Sequence, residues 1–316
     1  MRRRKQGKVI VLNLDFELLM AFQYSLPLTT TPLQDLAEKI GRDYEEVERK
    51  LREYKTNGIL KRYGANMNYR AFPNFKQSSL VGFKIDAEKA KKINELGERV
   101  KHNFLRDAEF NVWFTLKGRD VKEIMETVER MAKELEVQEY VILPTKKVYK
   151  MDVKYDLYKG VSWSYGVEPE RVVSISELGL GEDIKKLENL PISRRPFLEL
   201  GLGEEEAIDL IRELMRKGVV RDFSGVLSER GIGFRFNGMN VLRVNDSEKV
   251  AKELLKNYPQ ITHLIERVTN ERWNYPLYFM VHAVEKRTIE EIAESVRKIE
   301  GVRDLKIVYS KENLKP

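Results

Sequence analysis

Apolar positions recur at helical spacing in three short stretches near the start of the chain, and the period then shifts to the alternation of strands. Asp15 to Tyr24 predicts a helix capped by Asp15. After the Pro27–Pro32 break, Leu33, Leu36, Ala37 and Ile40 fall on one helical face. Gly41 makes a turn, and Asp43 caps a third helix whose apolar face is Tyr44, Val47, Leu51 and Tyr54. Asn57-Gly58 ends it and Ile59 to Tyr63 begins a strand, which completes a winged helix-turn-helix pattern. Beyond it, Ser79 to Ile85 predicts a strand, Ala87 to Val100 an amphipathic helix and Phe110 to Lys117 a strand. Asp120 to Leu135 predicts a helix and Glu139 to Val148 another strand. With one more strand around His102, the order is β-α-β-β-α-β, a ferredoxin-like unit.

The pattern then repeats. Asn57 to Arg70 (NGILKRYGANMNYR) lines up with Lys217 to Arg230 (KGVVRDFSGVLSER) at an offset of 160, and His102 to Arg106 with His263 to Arg267 at 161. The second copy predicts strands at Gly238 to Val244, Ile261 to Arg267, Leu277 to Ala283 and Leu305 to Tyr309. Its helices are Glu248 to Asn257 and Ile289 to Ile299, and its helix-turn-helix region is shortened ahead of a last helix, Glu204 to Lys217. The fold class is α+β, a tandem duplication of a winged helix-turn-helix plus a ferredoxin-like βαββαβ unit. The expected divisions are 1–75, the first winged helix-turn-helix with a basic arm, and 76–157, the first αβ domain. They continue with a connector at 158–178, the second winged helix-turn-helix at 179–233 and the second αβ domain at 234–316.

Composition narrows the function classes. With no cysteine among 316 residues, disulfides, thiolate metal sites and a cysteine nucleophile are excluded. No apolar run approaches a bilayer span and the basic start lacks a cleavage-site pattern, so a cytoplasmic location without membrane partners is expected. The 34% charged content, rich in Lys and Glu, leans toward a thermophile. The net charge of +7 is uneven: residues 1–160 carry 32 Lys+Arg against 24 Asp+Glu, the remainder 25 against 26. Arg2, Arg3, Arg4 and Lys5 form a basic arm, Arg49, Lys50, Arg52 and Lys55 lie on the third helix, and Lys61-Arg62 start the wing. Together these are the candidate DNA contacts. Against them, Asp43, Glu45, Glu46 and Glu48 crowd the helix N-terminus, where base contacts are usually made.

Candidate small-molecule chemistry lies in the αβ units. His102/Arg106 and His263/Arg267 each share a strand face, and with His282 they suit an acidic ligand that arginine can hold bidentately. Trp113 and Trp273 stack on a planar ring or pack a core. The expected ligand set is His102, Arg106, Trp113, His263, Arg267, Trp273 and His282. No pair of histidines has metal-ligand spacing, so no metal is assigned.

A winged helix-turn-helix joined to a ferredoxin-like unit resembles the Lrp/AsnC, or feast/famine, regulators, and more closely the siroheme decarboxylases. RYGANMNYRAF and DFSGVLSERGIGF look like the family's wing segments. HNFLRDAEFNVWFTL resembles one subunit type, and WNYPLYFMVH with IVYSKENLKP the other. The resemblance implies both subunit types fused head to tail, pairing through their αβ units with a tetrapyrrole between them. The departures are specific. Where the family carries Asn-His-Arg in the wing, this chain reads Asn68-Tyr69-Arg70 and Ser228-Glu229-Arg230. Where the family has Cys-Tyr-Arg after the second-copy histidine, the chain reads Leu264-Ile265-Glu266. Lost histidines and added acids imply eroded chemistry toward an octa-anionic substrate. The expectation is therefore a regulator binding promoter DNA, with the transcription machinery as a further partner. It has no catalytic residues and no cofactor beyond a tetrapyrrole or small acidic effector, and forms an intrachain pseudo-dimer or a homodimer of such chains. The alternatives are a siroheme decarboxylase of heme or heme d1 biosynthesis, acting through His102, Arg106, His263, Arg267 and His282, and a non-catalytic tetrapyrrole sensor.

Overall fold

The computed structural model describes residues 13–315. Helices α1 (Phe16–Tyr24), α2 (Pro32–Lys39) and α3 (Tyr44–Thr56) lead into the wing strand β1 (Leu60–Met67). Asp15 caps α1 by accepting from the Leu18 amide at 3.1 Å, whereas Asp43 holds the N-cap position of α3 without a side-chain bond. The first αβ unit is β2 (Gln77–Phe83), α4 (Ala87–Ala90), β3 (Val100–Arg106), β4 (Val112–Gly118), α5 (Val121–Glu134) and β5 (Tyr140–Met151). A small hairpin, β6 (Tyr155–Asp156) and β7 (Val161–Ser162), begins the connector.

The second copy runs α6 (Pro196–Glu199), α7 (Glu204–Arg216) and wing β8 (Val220–Leu227). Its αβ unit is β9 (Phe236–Val244), α8 (Ser247–Asn257), β10 (His263–Arg267), β11 (Leu277–Ala283), α9 (Lys286–Arg297) and β12 (Val302–Asn313). In place of a first helix it has two 3-10 segments, Ile175–Leu178 and Glu182–Glu188.

One predicted helix is different in kind. Ala87 to Val100 is a single α turn followed by a 3-10 run to Arg99, broken where Gly97 adopts φ +61°. Asn103 on the adjacent strand donates to the Ala90 carbonyl at 3.0 Å and to Asn94 at 3.2 Å. Those bonds satisfy a carbonyl that a continuing α-helix would have used.

The two αβ units close into one barrel. Each contributes four antiparallel strands, β5-β2-β4-β3 and β12-β9-β11-β10. β12 pairs with β3, β10 pairs with β5, and β10 also pairs with β11, so eight strands form a ring without a free edge. The helices pack outside. Ile124, Val128 and Met131 of α5 cover Val81, Phe114 and Leu116, and Ile289, Ala293 and Val296 of α9 join Leu254 over Leu277, Phe279 and Val281. The opposite faces of the same strands form an inner core of Leu80, Trp113, Leu143, Met239, Tyr278 and Val308.

The wings also pair with each other. β1 and β8 are antiparallel, with Leu60 opposite Leu227 and Met67 opposite Val220. Under the 160-residue offset this pairing maps onto itself, as a two-fold requires. Gly225 lets them close on α1, because a Cβ there would lie 2.0 Å from the Phe22 ring. Both helix-turn-helix regions and the connector share one core, including Phe22, Leu51, Tyr63, Phe72, Ile211 and Leu214.

Candidate functional site

Side chains alternate across a strand, so the inward set can be read from the register. Trp113 and Tyr278 belong to the inner core. The residues two and four positions further on therefore face inward too: Thr115 and Lys117 on β4, Met280 and His282 on β11. The same rule puts His102, Phe104 and Arg106 of β3 on one face, and His263, Ile265 and Arg267 of β10 on one face.

The barrel interior is graded along its axis. At one end, Phe110, Trp113, Trp273 and Tyr275 form an aromatic plug, with Trp113 and Trp273 centroids 5.0 Å apart and Trp273 Nε1 donating to the Tyr278 hydroxyl at 2.6 Å. The two tryptophans are thus packing partners of each other, four residues or about 13 Å along β4 from Lys117.

The arginines come next. Arg106 and Arg267 are only 5% and 6% exposed. Arg106 lies opposite Ser310 and its Nη1 donates to the Val308 carbonyl at 2.9 Å. Arg267 lies opposite Thr145 and its Nη1 donates to the Leu143 carbonyl at 3.4 Å and to Thr145 Oγ1 at 3.1 Å. Each reaches the carbonyl two residues before its cross-strand partner, so the pair obeys the pseudo-two-fold. In both, Nε is buried without a partner. Burial pulls both guanidinium groups down to about 10, offset in part by Glu229 for Arg106 and by Tyr278 for Arg267.

The histidines gather at the other end, under the wings. The His102 and His263 rings are 6.5 Å apart. His102 keeps accessible surface although protein lies on every side, which marks a side chain lining a recess. Burial, then the charge of Arg106, pushes its imidazole down to about 4. Burial and then His102 hold His263 well below the usual range. Nδ1 of His263 is 2.9 Å from the Thr262 hydroxyl.

Each wing then drops one side chain onto the barrel rim, Glu229 from the second copy and Tyr69 from the first. Glu229 approaches His282, with Oε2 2.6 Å from Nδ1, and the edge of the buried His282 ring meets Tyr155 at 5.7 Å. Burial raises the Glu229 carboxyl, but His282, Lys61 and His102 overcome this and hold it down to about 2. In the first copy the ring of Tyr69 carries Lys117 Nζ at 4.3 Å and Lys101 Nζ at 4.2 Å from its centroid, and its hydroxyl donates to Glu188 at 2.8 Å. Burial and then Lys101 push the Lys117 amine down to about 7. Among the described residues neither lysine has a carboxylate within salt-bridge distance. Sequence reading missed Lys117 and Lys101. The signal was there for Lys117, because aligning VWFTLK with LYFMVH puts it at the position of His282.

The acids expected to repel an anion each have a neighbour of their own. Glu266 alternates to the outer side of β10, where Lys146 reaches it at 2.8 Å and the Tyr149 hydroxyl at 3.2 Å. Glu229 lies 2.6 Å from the His282 imidazole, with Lys61 and His102 also favouring its charged form.

The residues expected to contact DNA are differently employed. Lys50 is tied to Asp15 at 2.6 Å, Arg52 to Glu48 at 2.7 Å and to the Ile192 carbonyl at 2.5 Å, and Lys55 to the Lys61 carbonyl. Arg62 donates to Asn66 at 2.7 Å and to the Glu188 carbonyl at 3.2 Å. Lys61 lies near enough to His102 and Glu229 to shift both. Arg49 is exposed, and Arg2, Arg3, Arg4 and Lys5 lie outside the described residues.

Comparison with known proteins agrees with this geometry. The profile of the AsnC-like ligand binding domain matches residues 75–150 and again 231–315, and that of the siroheme decarboxylase NirDL-like HTH domain matches 15–60. A siroheme decarboxylase of Hydrogenobacter thermophilus is 26% identical over 320 aligned positions, covering 95% of this chain and 92% of that one. The siroheme decarboxylase beta subunit of Methanosarcina barkeri is 30% identical over 142 positions, covering 42% of this chain and 93% of that subunit. A crystal structure of the siroheme decarboxylase NirDL superposes with a TM-score of 0.62 at 24% identity, covering 95% of this chain and 92% of that one.

The expectation of a DNA-binding transcription regulator is overturned by these full-length matches to decarboxylases. The physical reason is in the fold: the wings pair with each other over the barrel mouth, and of the six described basic residues counted as phosphate contacts, Lys50, Arg52, Lys55 and Arg62 are bonded within the molecule. With half of its length matched by one family profile and a relative at 30% identity aligned over nearly its whole subunit, this protein belongs to the AsnC-like ligand-binding family, in the branch that includes the siroheme decarboxylases.

Proposed function

We propose that this protein decarboxylates siroheme in the recess between barrel and wings. The observation that carries the reading is the pair Arg106 and Arg267, two buried guanidinium groups related by the pseudo-two-fold, each with an unpaired Nε. Leaving a buried charge without a counter-ion costs several kcal/mol, and a ligand bearing carboxylates on opposite sides relieves that cost at both positions at once. Lys101 and Lys117 extend the cationic lining. The relatives named as siroheme decarboxylases supply the substrate, a macrocycle with peripheral carboxylates. The Methanosarcina barkeri relative is one subunit matching one copy, whereas this chain holds both copies.

The reaction asks three things of the chain. It must hold the propionate and acetate groups that stay, which suits Arg106, Arg267 and the lysines. It must exclude water from the acetate that reacts, a task that falls to the bound macrocycle together with the paired wings over the mouth. And it must deliver a proton: as the bond between the methylene carbon and the carboxylate breaks, carbon dioxide leaves and its electron pair on the carbon takes up H⁺, turning acetate into methyl. His102, His263 and His282 are the candidates for that transfer in this reading.

Anoxic incubation of the purified chain with siroheme, followed by chromatography with mass detection, tests the proposal. The expected result is loss of first one and then two molecules of carbon dioxide. Siroheme recovered unchanged from the bound state refutes it.

A further inference from the structure

Once the register is followed across the pseudo-two-fold, the two halves of the recess are not alike. Lys117 of β4 lies opposite Ser78 of β2, and His282 of β11 lies opposite Asn237 of β9. These are equivalent positions, each the inward residue nearest the barrel mouth. The wing residues above them are equivalent as well, Tyr69 over Lys117 and Glu229 over His282, at the 160-residue offset. The duplication has therefore placed an amine against a phenol ring on one side and an imidazole against a carboxylate on the other.

Resting on the siroheme reading above, we propose that the two halves divide the work: His282, oriented by Glu229, is the proton donor, while Lys117 is a carboxylate anchor that transfers no proton to carbon.

Three observations support the division. First, the Glu229 carboxylate lies 2.6 Å from Nδ1 of His282, placed to pair with that nitrogen once the ring carries a second proton, while Nε2 is buried with no polar partner. An imidazole with an acid beside one nitrogen and the other nitrogen open is arranged for proton transfer. Second, no equivalent acid serves Lys117. Tyr69, in the place of Glu229, directs its hydroxyl away to Glu188 and offers Lys117 only its ring face. Third, Lys117 does not stand alone: Lys101 shares the same ring at 4.2 Å. Two amines over one aromatic ring, neither with a carboxylate within salt-bridge distance among the described residues, form an anion-binding pair. An anchor needs charge, which a bound carboxylate favours on the Lys117 amine; a donor needs an oriented, reloadable proton. Each half has one of these and lacks the other.

The division predicts opposite kinetic signatures. Lys117→Met is expected to raise KM for siroheme, and its dissociation constant in an absorbance titration, by at least tenfold with kcat within a few-fold of the parent. Lys117→Arg restores affinity. His282→Gln, which keeps a hydrogen-bonding side chain of similar reach, is expected to lower kcat by about a hundredfold or more with the dissociation constant nearly unchanged, and Glu229→Gln to lower kcat by a smaller factor while shifting the pH profile of kcat. If Lys117→Met loses kcat with binding intact, or His282→Gln loses binding with kcat intact, the assignment is overturned. A parent chain that binds siroheme but releases no carbon dioxide would overturn the decarboxylase reading along with it, whereas a working parent with the signatures exchanged overturns this inference alone.

Discussion

Replacing Arg106 and Arg267 together by methionine is expected to stabilise the empty protein and to weaken siroheme binding severely. Both guanidinium groups are buried, and among the described residues no carboxylate lies within salt-bridge distance of either. Burial carries each from 12.5 to about 10, which corresponds to about 3 kcal/mol against each charged form. The compensating bonds from Nη1 to a strand carbonyl are worth about 1.5–3 kcal/mol each, as hydrogen bonds from a charged donor. The net expectation is a gain of about 1–3 kcal/mol for the pair. Exchange of buried ionic groups for well-packed apolar ones is commonly neutral or stabilising by about 1–4 kcal/mol. At roughly 2–4 °C per kcal/mol, Tm rises by several degrees.

Binding moves the other way. Two charge-assisted contacts to carboxylates, at about 1.5–3 kcal/mol each, amount to a loss of roughly 10²–10⁴ in affinity. The assay pairs thermal melts of the ligand-free protein with anoxic absorbance titrations of siroheme. A double variant that melts several degrees lower and binds siroheme as tightly as the parent would show that the arginines serve the barrel and not a ligand.

Three further outcomes are expected. His102 and His263 are both held below the ordinary imidazole range, so between roughly pH 6.5 and pH 4 the unfolded chain binds more protons than the native one and stability falls as pH falls; urea unfolding across that window should show the slope, and a His102→Gln/His263→Gln variant should flatten it. Glu168, whose side chain is 1% exposed, accepts from Asn68, Arg70 and Arg221 and so clamps both wings to the connector; Glu168→Ala leaves Arg221 without its acid and is expected to cost about 3–5 kcal/mol in urea unfolding, and a loss below 1 kcal/mol would show that the clamp is idle. Gly225→Ala drives a methyl into the Phe22 ring and is expected to cost about 1–3 kcal/mol, visible as a lowered melting temperature.

Local chemistry alone determined a good part of this protein. Helices α1, α3, α5, α8 and α9 were readable because their buried positions repeat every three or four residues, and the doubled fold was readable because the copies keep matching segments at one spacing. The sites of His102/Arg106 and His263/Arg267 followed from the same repeat, since alternation along a strand is a local property. What stayed hidden depends on contacts between residues far apart in sequence. β5 and β12 run to Met151 and Asn313, past their expected ends, because their extra residues pair with β10 and β3 of the other copy. Barrel closure and the β1–β8 pairing are of the same kind. Charge was the most misleading feature. Lys50 and Arg52 counted toward DNA until Asp15 and Glu48 took them up, and Glu266 counted against an anionic ligand until strand alternation turned it outward to Lys146. Lys117 counted for nothing until the barrel brought it under Tyr69. A sequence records which charges a chain carries, but the work each does is set by the counter-ion and solvent around it, and only the closed barrel with its paired wings decides those.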